Sequence, residues 1–413
     1  MAMDQKTLAK RLREAREACK RTQEEVAAAM GLQRTAIAQI EAGNRSVSSL
    51  ELLKLAQLYD REFSDFFTDA PPVTDEDPLV VLHRLAPGLE DDPAVLREVE
   101  HCLQVCREGI ALEQILGRDA RIGPPAYRVA APRSAGEAVR QGAHIASQER
   151  QRLGLGNAPV ADMADLLNTE GIWAAGLSLP DHMSGLFLNH SSTGMVVLVN
   201  FDHARARKRF SYAHEYAHAL IDRDRAGTVT TQENASDLVE KRANAFAAAF
   251  LIPRAGVNQF LQTLDKGQPS RVEQLVFDVA TEGRIDAQLR PEPGSQTLAY
   301  QDIARVADWF KVSYRAAVYR LRSLNYLSQK ECNTLLEQES LANDFKQLMQ
   351  SEEAEAPARG RKRDRELVLQ VAHLAVEAYR REEISRGRLF ELADLLGVDG
   401  RKLLDFAQAS KSE

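Results

Sequence analysis

The sequence is poor in aromatic residues and in cysteine, and it has no long apolar run. Only 6% of its 413 residues are aromatic. The four cysteines are too few and too scattered for a disulfide framework, so we expect reduced thiols at Cys19, Cys102, Cys106 and Cys332. No stretch approaches the roughly 20 apolar residues of a membrane span, and the first twenty residues lack the apolar centre of a signal peptide. These absences predict a cytoplasmic protein that does not contact a membrane.

The overall composition is that of an ordinary soluble protein with room for several domains. Hydrophobic residues make up 44% and charged residues 27% of the chain. Frequent Ala, Leu, Glu and Arg favour helix, so we expect a mainly α fold with a small β-sheet, in the α+β class. The net charge of -7 argues against a protein that coats nucleic acid through bulk charge, but it leaves room for one locally basic face.

Residues 6–68 have the pattern of short helices joined by tight turns. Thr22 is a good N-cap before the acidic pair Glu24 and Glu25, and Gly31 and Gly43 are placed to end helices. The apolar positions that we expect to form one small core are Leu8, Leu12, Ala15, Val26, Ala27, Met30, Leu32, Ile37, Ile40, Leu50, Leu53 and Ala56.

The polar residues of this segment are suited to DNA. Four of them lie early on the third helix, where a recognition helix meets base edges: Gln33, Arg34, Thr35 and Gln39. Arg and Gln can make paired hydrogen bonds to guanine and adenine respectively. Three more are placed for phosphate contacts at helix starts and turns: Gln23, Asn44 and Arg45. A small helical bundle that binds protein is the alternative.

The stretch TQEEVAAAMGLQRTAIAQIEAGNRSVSSLELLKLAQLY (22–59) resembles the Cro and phage repressor-like helix-turn-helix family, also called XRE. The resemblance implies a five-helix type of domain that binds a palindromic double-stranded DNA operator as a homodimer. Residues 1–60 contain 10 Lys and Arg against 8 Asp and Glu, a net of +2, which fits DNA contact modestly.

The remainder of the chain divides by composition. APPVTDEDP (70–78) is typical of a solvated linker, GMVVLVN (194–200) of a buried strand, and EEAEAPARGRKRDRE (352–366) of an exposed connector. We expect two or three strands between about 170 and 200. The predicted domains are a helix-turn-helix domain (6–68), a linker and helical bridging region (69–130), a strand-containing domain (131–262), a helical subdomain (263–350), and a charged connector with C-terminal helices (351–413).

The segment FSYAHEYAHALID (210–222) contains the pattern of a zinc site. On a helix, His214 and His218 lie one turn apart on the same face, so both imidazoles can bind one metal ion. Glu215 is then placed to act as general base toward a water on the metal. The alternative is an amphipathic helix with two ordinary surface histidines. Such a site needs a third ligand, and the candidates downstream are Asp222, Asp224, Glu233, Asp237 and Glu240.

Residues 135–260 resemble the ImmA/IrrE family of zinc metallopeptidases. The matching elements are VN at 199–200, RKRF at 207–210, HEYAH at 214–218 and EKRANAFAAAFLIP at 240–253. The resemblance implies a zincin-like core of the gluzincin type with one Zn²⁺ per chain. Its implied ligands are His214, His218 and Glu240, its general base is Glu215, and Asn244 would orient a histidine ligand. No residue is assigned to stabilise the oxyanion, although His203, Arg209 and Tyr212 are near in sequence.

Together these patterns predict a transcriptional regulator that binds its operator and cleaves a partner protein, such as a repressor, in a stress or mobile-element switch. Two alternatives stay open. The zincin-like domain is a ligand or metal sensor that cleaves nothing, or the chain is an antitoxin-like or scaffolding regulator that uses this domain as a partner surface.

Overall fold

The computed structural model describes residues 5–18, 21–59, 93–119, 121–224, 227–231, 234–267, 272–278, 283–289, 292, 294–349 and 366–409. Within these ranges the chain is mainly helical, with one four-stranded sheet and one two-stranded hairpin, which confirms the predicted fold class. The chain divides into two compact units, residues 1–72 and 73–413. The predicted linker (70–78), nearly all of the predicted connector (352–366) and Cys19 lie outside the described residues.

The first unit contains four described helices: α1 (Gln5–Ala18), α2 (Gln23–Met30), α3 (Arg34–Glu41) and α4 (Ser49–Leu58). Thr22 caps α2, since its side chain accepts a hydrogen bond from the Glu25 N–H while the Glu25 carboxylate accepts one from the Thr22 N–H. Gly31 ends α2 in the left-handed conformation with φ 66°, where a side chain would be strained. The turn between α2 and α3 therefore follows the sequence prediction.

The core of this unit differs from the prediction in α4. Most of the predicted core positions are buried or partly buried, but Leu50 and Leu53 are 73% and 43% exposed, so their assignment to the core was wrong. Helix α4 turns a different face inward, which carries Leu52, Leu55 and Ala56. These three positions follow the 3.6-residue period of a helix, whereas the run of leucines in SLELLKL fits more than one face.

The described part of the second unit contains six strands and thirteen helices. The strands are β1 (Trp173–Leu177), β2 (Met183–His190), β3 (Gly194–Asn200), β4 (Gly227–Thr231), β5 (Val272–Asp278) and β6 (Gly283–Leu289). The helices are α5 (Pro93–Ile115), α6 (Ala135–Arg152), α7 (Met163–Thr169), α8 (Arg205–Ile221), α9 (Leu238–Leu251), α10 (Arg254–Thr263), α11 (Tyr300–Trp309), α12 (Tyr314–Ser323), α13 (Gln329–Glu337), α14 (Glu339–Met349), α15 (Glu366–Arg380), α16 (Arg386–Leu396) and α17 (Gly400–Ala409). No described helix combines the length and apolarity that would carry it across a bilayer.

The four-stranded sheet is covered on both faces. Its strand order is β1-β3-β2-β4, with β1 parallel to β3 and with β2 antiparallel to β3 and β4. Successive side chains point to opposite faces, so Val197 packs in the core that contains α8 and α9 while Leu198 packs in the core that contains α5 and α15. Burial on both faces explains the continuous apolar run VVLV in β3.

Helices α6 and α9 touch through their main chains. A side chain at Gly142 of α6 would place its Cβ 2.3 Å from the Arg242 carbonyl oxygen and 2.8 Å from the Phe246 nitrogen. Real Cβ atoms do not come so close to main-chain atoms, so only glycine allows this approach. The contact lies between Glu240 and the middle of α9, and it therefore sets the distance of that helix from the rest of the core.

Gly142→Ala should lower the free energy of unfolding of the second unit by about 1–3 kcal/mol, because the new methyl group must displace main-chain atoms. Gly136→Ala, in the same helix, is the control. Its Cβ would meet only the flexible Arg140 guanidinium at 3.5 Å, so no loss is expected. Both tryptophans lie in the second unit, so tryptophan fluorescence during chemical denaturation reports on that unit. Equal stability of the two variants would show that the backbone contact does not limit the packing.

Candidate metal centre and nucleic-acid interface

Helix α8 carries both histidines of the HEYAH segment into the interior. Every residue from Ser211 to Leu220 is buried, because α8 packs between the sheet and helices α6 and α9. His214 and His218 are 2% and 0% exposed, and their Nε2 atoms lie 3.2 Å apart. The reading of these residues as ordinary surface histidines therefore does not fit the structure.

Glu240, in the first turn of α9, meets both histidines. Its Oε2 atom lies 2.9 Å from Nε2 of His214, and its Oε1 atom lies 3.5 Å from Nε2 of His218. Of the other candidate third ligands, Asp224 and Asp237 are exposed and Glu233 lies outside the described residues. Within the described ranges, no other cluster of three His, Cys, Asp or Glu side chains has its ligand atoms within 4.8 Å of one another.

The three side chains fit a zinc ion. Ligands about 2.0–2.2 Å from a tetrahedral zinc lie about 3.3 Å from each other. Here the two Nε2 atoms are 3.2 Å apart, and each has a Glu240 oxygen nearby, Oε2 at 2.9 Å from His214 and Oε1 at 3.5 Å from His218. Two imidazoles and one carboxylate are also the donor set of a catalytic zinc site that keeps one position open. The chemistry and the spacing of the donors therefore agree.

The outer nitrogens of both histidines have fixed partners. Nδ1 of His214 lies 2.9 Å from Oδ1 of Asn244, and Nδ1 of His218 lies 3.0 Å from Oδ2 of Asp222. Because these oxygens only accept, both Nδ1 atoms donate, and the two Nε2 atoms are the ones that face the cluster. Asn244 was predicted to make such a contact. Asp222, a candidate third ligand in the sequence, instead lies buried behind His218.

The charges of the cluster are coupled. Burial alone would raise the pKa of Glu240, but hydrogen bonds with His214 and His218 outweigh burial and lower its pKa to about 2. Burial alone would lower the pKa of His218, but its hydrogen bonds with Asp222 and Glu240 raise its pKa to about 10. Without a metal, the site therefore balances its carboxylates with the imidazolium of His218, which supplies the positive charge that a bound metal ion would otherwise supply.

Glu215 lies in a closed slot beside the histidines. The residue is fully buried, and neither carboxylate oxygen makes a hydrogen bond of good geometry with a described residue. Burial raises its pKa and outweighs the opposite effects of His214, His218 and the Thr230 hydroxyl. The slot exists because Gly185 of β2 has no side chain, since a Cβ there would lie 3.0 Å from Oε1 of Glu215. A glycine inside a strand signals such a close approach, but the sequence reading did not use that signal.

A second buried carboxylate anchors α8 to α6. Glu149 of α6 is fully buried and accepts hydrogen bonds from the hydroxyl groups of Tyr216 and Tyr127, and its charge is balanced by Arg152 at 2.6 Å. Tyr216 is the neighbour of Glu215 in the HEYAH segment. Burial and the nearby carboxylate raise the pKa of Tyr216, so its hydroxyl stays protonated and keeps donating. This network was not predicted from sequence.

The structure gives no oxyanion-stabilising role to the three residues named from sequence. The Arg209 guanidinium donates to the carbonyls of Ala161 at 2.9 Å and Val160 at 2.6 Å. Tyr212 is buried in the core of the second unit, and burial lowers the pKa of His203. The role stays unassigned.

The predicted DNA-contacting residues of the first unit fall into two groups. Five are exposed at the N-cap of α3, on α3 or in the turn after it: Gln33, Arg34, Thr35, Gln39 and Asn44. The other two have partners inside the unit. The Gln23 amide donates to Glu41 at 2.8 Å, and Arg45 forms an ion pair with Glu51 at 2.7 Å. The five exposed residues can contact a DNA duplex without breaking a contact inside the unit. Gln23 and Arg45 could contact a phosphate only by releasing Glu41 and Glu51, or by binding both partners at once.

Comparison with known families matches both parts of the chain. Residues 12–66 match a helix-turn-helix family, and residues 168–277 match the IrrE N-terminal-like domain of the M78 peptidases. The second match contains His214, Glu215, His218 and Glu240. Neither the curated proteins nor the solved structures gave a match. The chain thus joins an XRE-type helix-turn-helix domain to an IrrE-like domain, as the two resemblances predicted.

The full chain should bind about one Zn²⁺, and Glu240→Ala should lose most of it, because the carboxylate is one of three converging ligand atoms. Asp237→Ala is the control, since Asp237 lies three residues earlier, is exposed and makes no capping hydrogen bond through its side chain. Metal content is measured by mass spectrometry after dialysis at matched protein concentrations. Zinc retained by Glu240→Ala at the wild-type level would remove Glu240 from the ligand set.

Proposed function

We propose that the chain is a DNA-binding transcriptional regulator whose IrrE-like domain is a zinc-dependent peptidase that cleaves a partner protein. The observation that carries this proposal is the convergence of His214, His218 and Glu240, with the buried carboxylate of Glu215 beside them. A pure binding module has no need of a buried carboxylate that lacks a hydrogen bond of good geometry, since such a group is costly to keep.

His214, His218 and Glu240 would hold one Zn²⁺ per chain, with Asn244 fixing the ring of His214. When bound, the zinc would supply Lewis-acid chemistry, which polarises a peptide carbonyl and makes a water more acidic. Both histidines already direct their Nε2 atoms to the cluster, so the rings need little rotation, and zinc would displace the proton that His218 carries without a metal.

Glu215 would act as the general base. Its oxygens make no hydrogen bond of good geometry in the described part of the chain. Burial raises its pKa, which makes it a better proton acceptor than an exposed carboxylate. The proton taken from water would move to Oε1 or Oε2 of Glu215 and then to the leaving amine. Gly185 keeps the slot for this carboxylate open.

The helix-turn-helix domain would bring the chain to a double-stranded operator, with the exposed residues of α3 reading bases. A homodimer would match a palindromic site. The substrate that best fits this arrangement is another DNA-bound regulator, such as a repressor, whose cleavage would operate a stress or mobile-element switch.

One observation favours a second function. The four residues of the centre are between 0% and 6% exposed, so a polypeptide cannot reach Glu215 in this conformation. A closed centre fits a non-proteolytic sensor of a metal or ligand, which would alter DNA binding without cleaving a protein. The peptidase proposal requires that the centre opens when substrate binds.

Glu215→Gln should retain zinc but slow hydrolysis by about 10²–10⁴-fold, because the amide cannot accept the proton. The measurement compares protein N-termini, by mass spectrometry, in source cells that express either the wild type or the variant. New N-termini that depend on Glu215 identify the substrate. Identical N-termini, together with unchanged regulation, would favour the sensor.

Arg34→Ala should weaken binding to a DNA duplex selected from a random pool by about 1–3 kcal/mol and relax its sequence preference, because Arg34 is an exposed cation at the start of α3. Lys54→Ala removes the same charge from α4 and serves as the control. A uniform loss of affinity for all duplexes in both variants would make Arg34 a general electrostatic contact and not a base reader.

A further inference from the structure

Three arginines are buried in the described part of the second unit, and they differ in what they bind. Arg150 donates to main-chain carbonyls, including Phe250 at 2.6 Å. Arg209 also donates only to carbonyls, those of Val160 and Ala161. Arg242 instead donates from Nη2 to Oδ1 of Asp222 at 2.6 Å. It is thus the one of the three that balances a buried carboxylate.

The other oxygen of that carboxylate faces a proposed zinc ligand. Asp222 is 6% exposed, and its Oδ2 atom lies 3.0 Å from Nδ1 of His218. A continuous line of contacts therefore runs from Arg242 through Asp222 to the His218 ring. A carboxylate held on one side by a guanidinium has its other oxygen fixed in direction, and that oxygen fixes both the rotation and the tautomer of the imidazole.

This line also joins the two helices that supply the ligands. Asp222 follows the last residue of α8, whereas Arg242 lies on α9, two residues after Glu240 and two before Asn244. Helix α9 therefore holds His214 through Asn244 and holds His218 through Arg242 and Asp222. Removing Arg242 would leave Asp222 as a buried carboxylate without its cation, free to turn away from His218.

We infer that Arg242 is a positioning residue that sets the metal affinity of the centre by orienting His218 through Asp222. The inference rests on the proposed function, since it requires His218 to be a ligand. It does not require that the protein hydrolyses anything.

The test measures Zn²⁺ affinity of the full chain. Zinc is removed with a chelator and titrated back in competition with a chelating dye, for the wild type, Arg242→Met, Arg242→Lys and Arg209→Met. Arg242→Met should bind Zn²⁺ about 10–100-fold more weakly. Arg242→Lys should recover most of the affinity, because the contact with Asp222 is a single N–H···O bond that an ammonium group can replace.

Arg209→Met is the matched control, because it removes a buried arginine from α8 that has no contact with a ligand or its partner. In the metal-free form, Arg209→Met and Arg242→Met should both be less stable than the wild type. The Zn²⁺ affinity of Arg209→Met should nevertheless equal that of the wild type. Should Arg242→Met fail to fold, the double variant Asp222→Asn with Arg242→Met removes both charges and should still bind zinc more weakly.

Wild-type affinity in Arg242→Met, or in the double variant, would overturn the inference. An equal loss in Arg209→Met would overturn it as well, since any buried arginine would then have the same effect. A wild type that binds no zinc would instead refute the proposed ligand set, and the inference with it, so the two failures are distinct.

Discussion

The side chains of His214, His218 and Glu240 lie within 3.5 Å of one another in the interior, and the packing of α6, α8 and α9 has to stabilise these buried polar groups. Burying a carboxylate beside imidazoles is costly unless each polar atom has a partner. Contacts around the cluster offset this cost. Asn244 and Asp222 accept hydrogen bonds from the outer nitrogens of the two histidines. The pKa of Glu240 is lowered and that of His218 is raised, so a negative and a positive charge face each other.

The centre is built on regular elements and not on loops. Its proposed ligands come from two helices, and Glu215, the proposed base, lies against a strand that is fixed by pairing on both sides. Such elements hold side chains within a small tolerance, which suits a site whose donors must meet at zinc-ligand spacing. The same packing keeps a polypeptide from reaching the centre. A rigid core therefore positions the side chains well but excludes a large substrate.

Local patterns in the sequence predicted much of the structure, and long-range pairings did not follow from them. The Thr22 cap, the Gly31 turn and the i, i+4 histidines each depend on residues within one or two helical turns. Glu240 required a family resemblance as well. Arg242 with Asp222, and Glu149 with Tyr216, pair residues 20 and 67 positions apart, so only the packed fold brings them together. Strand β4 was missed for the same reason, because five residues with three threonines form a strand only by pairing with β2.

The close contact between the main chains of α6 and α9 at Gly142 limits how the sequence of this domain can change in evolution. Main-chain atoms set the spacing of α6 and α9 there, and a main chain has the same shape whatever side chains surround it. Core side chains can therefore be exchanged, with gains and losses of stability, while the path of α9 past the histidines stays the same. Divergent relatives can thus share the geometry of this centre with little of its surrounding sequence, provided that the glycine remains.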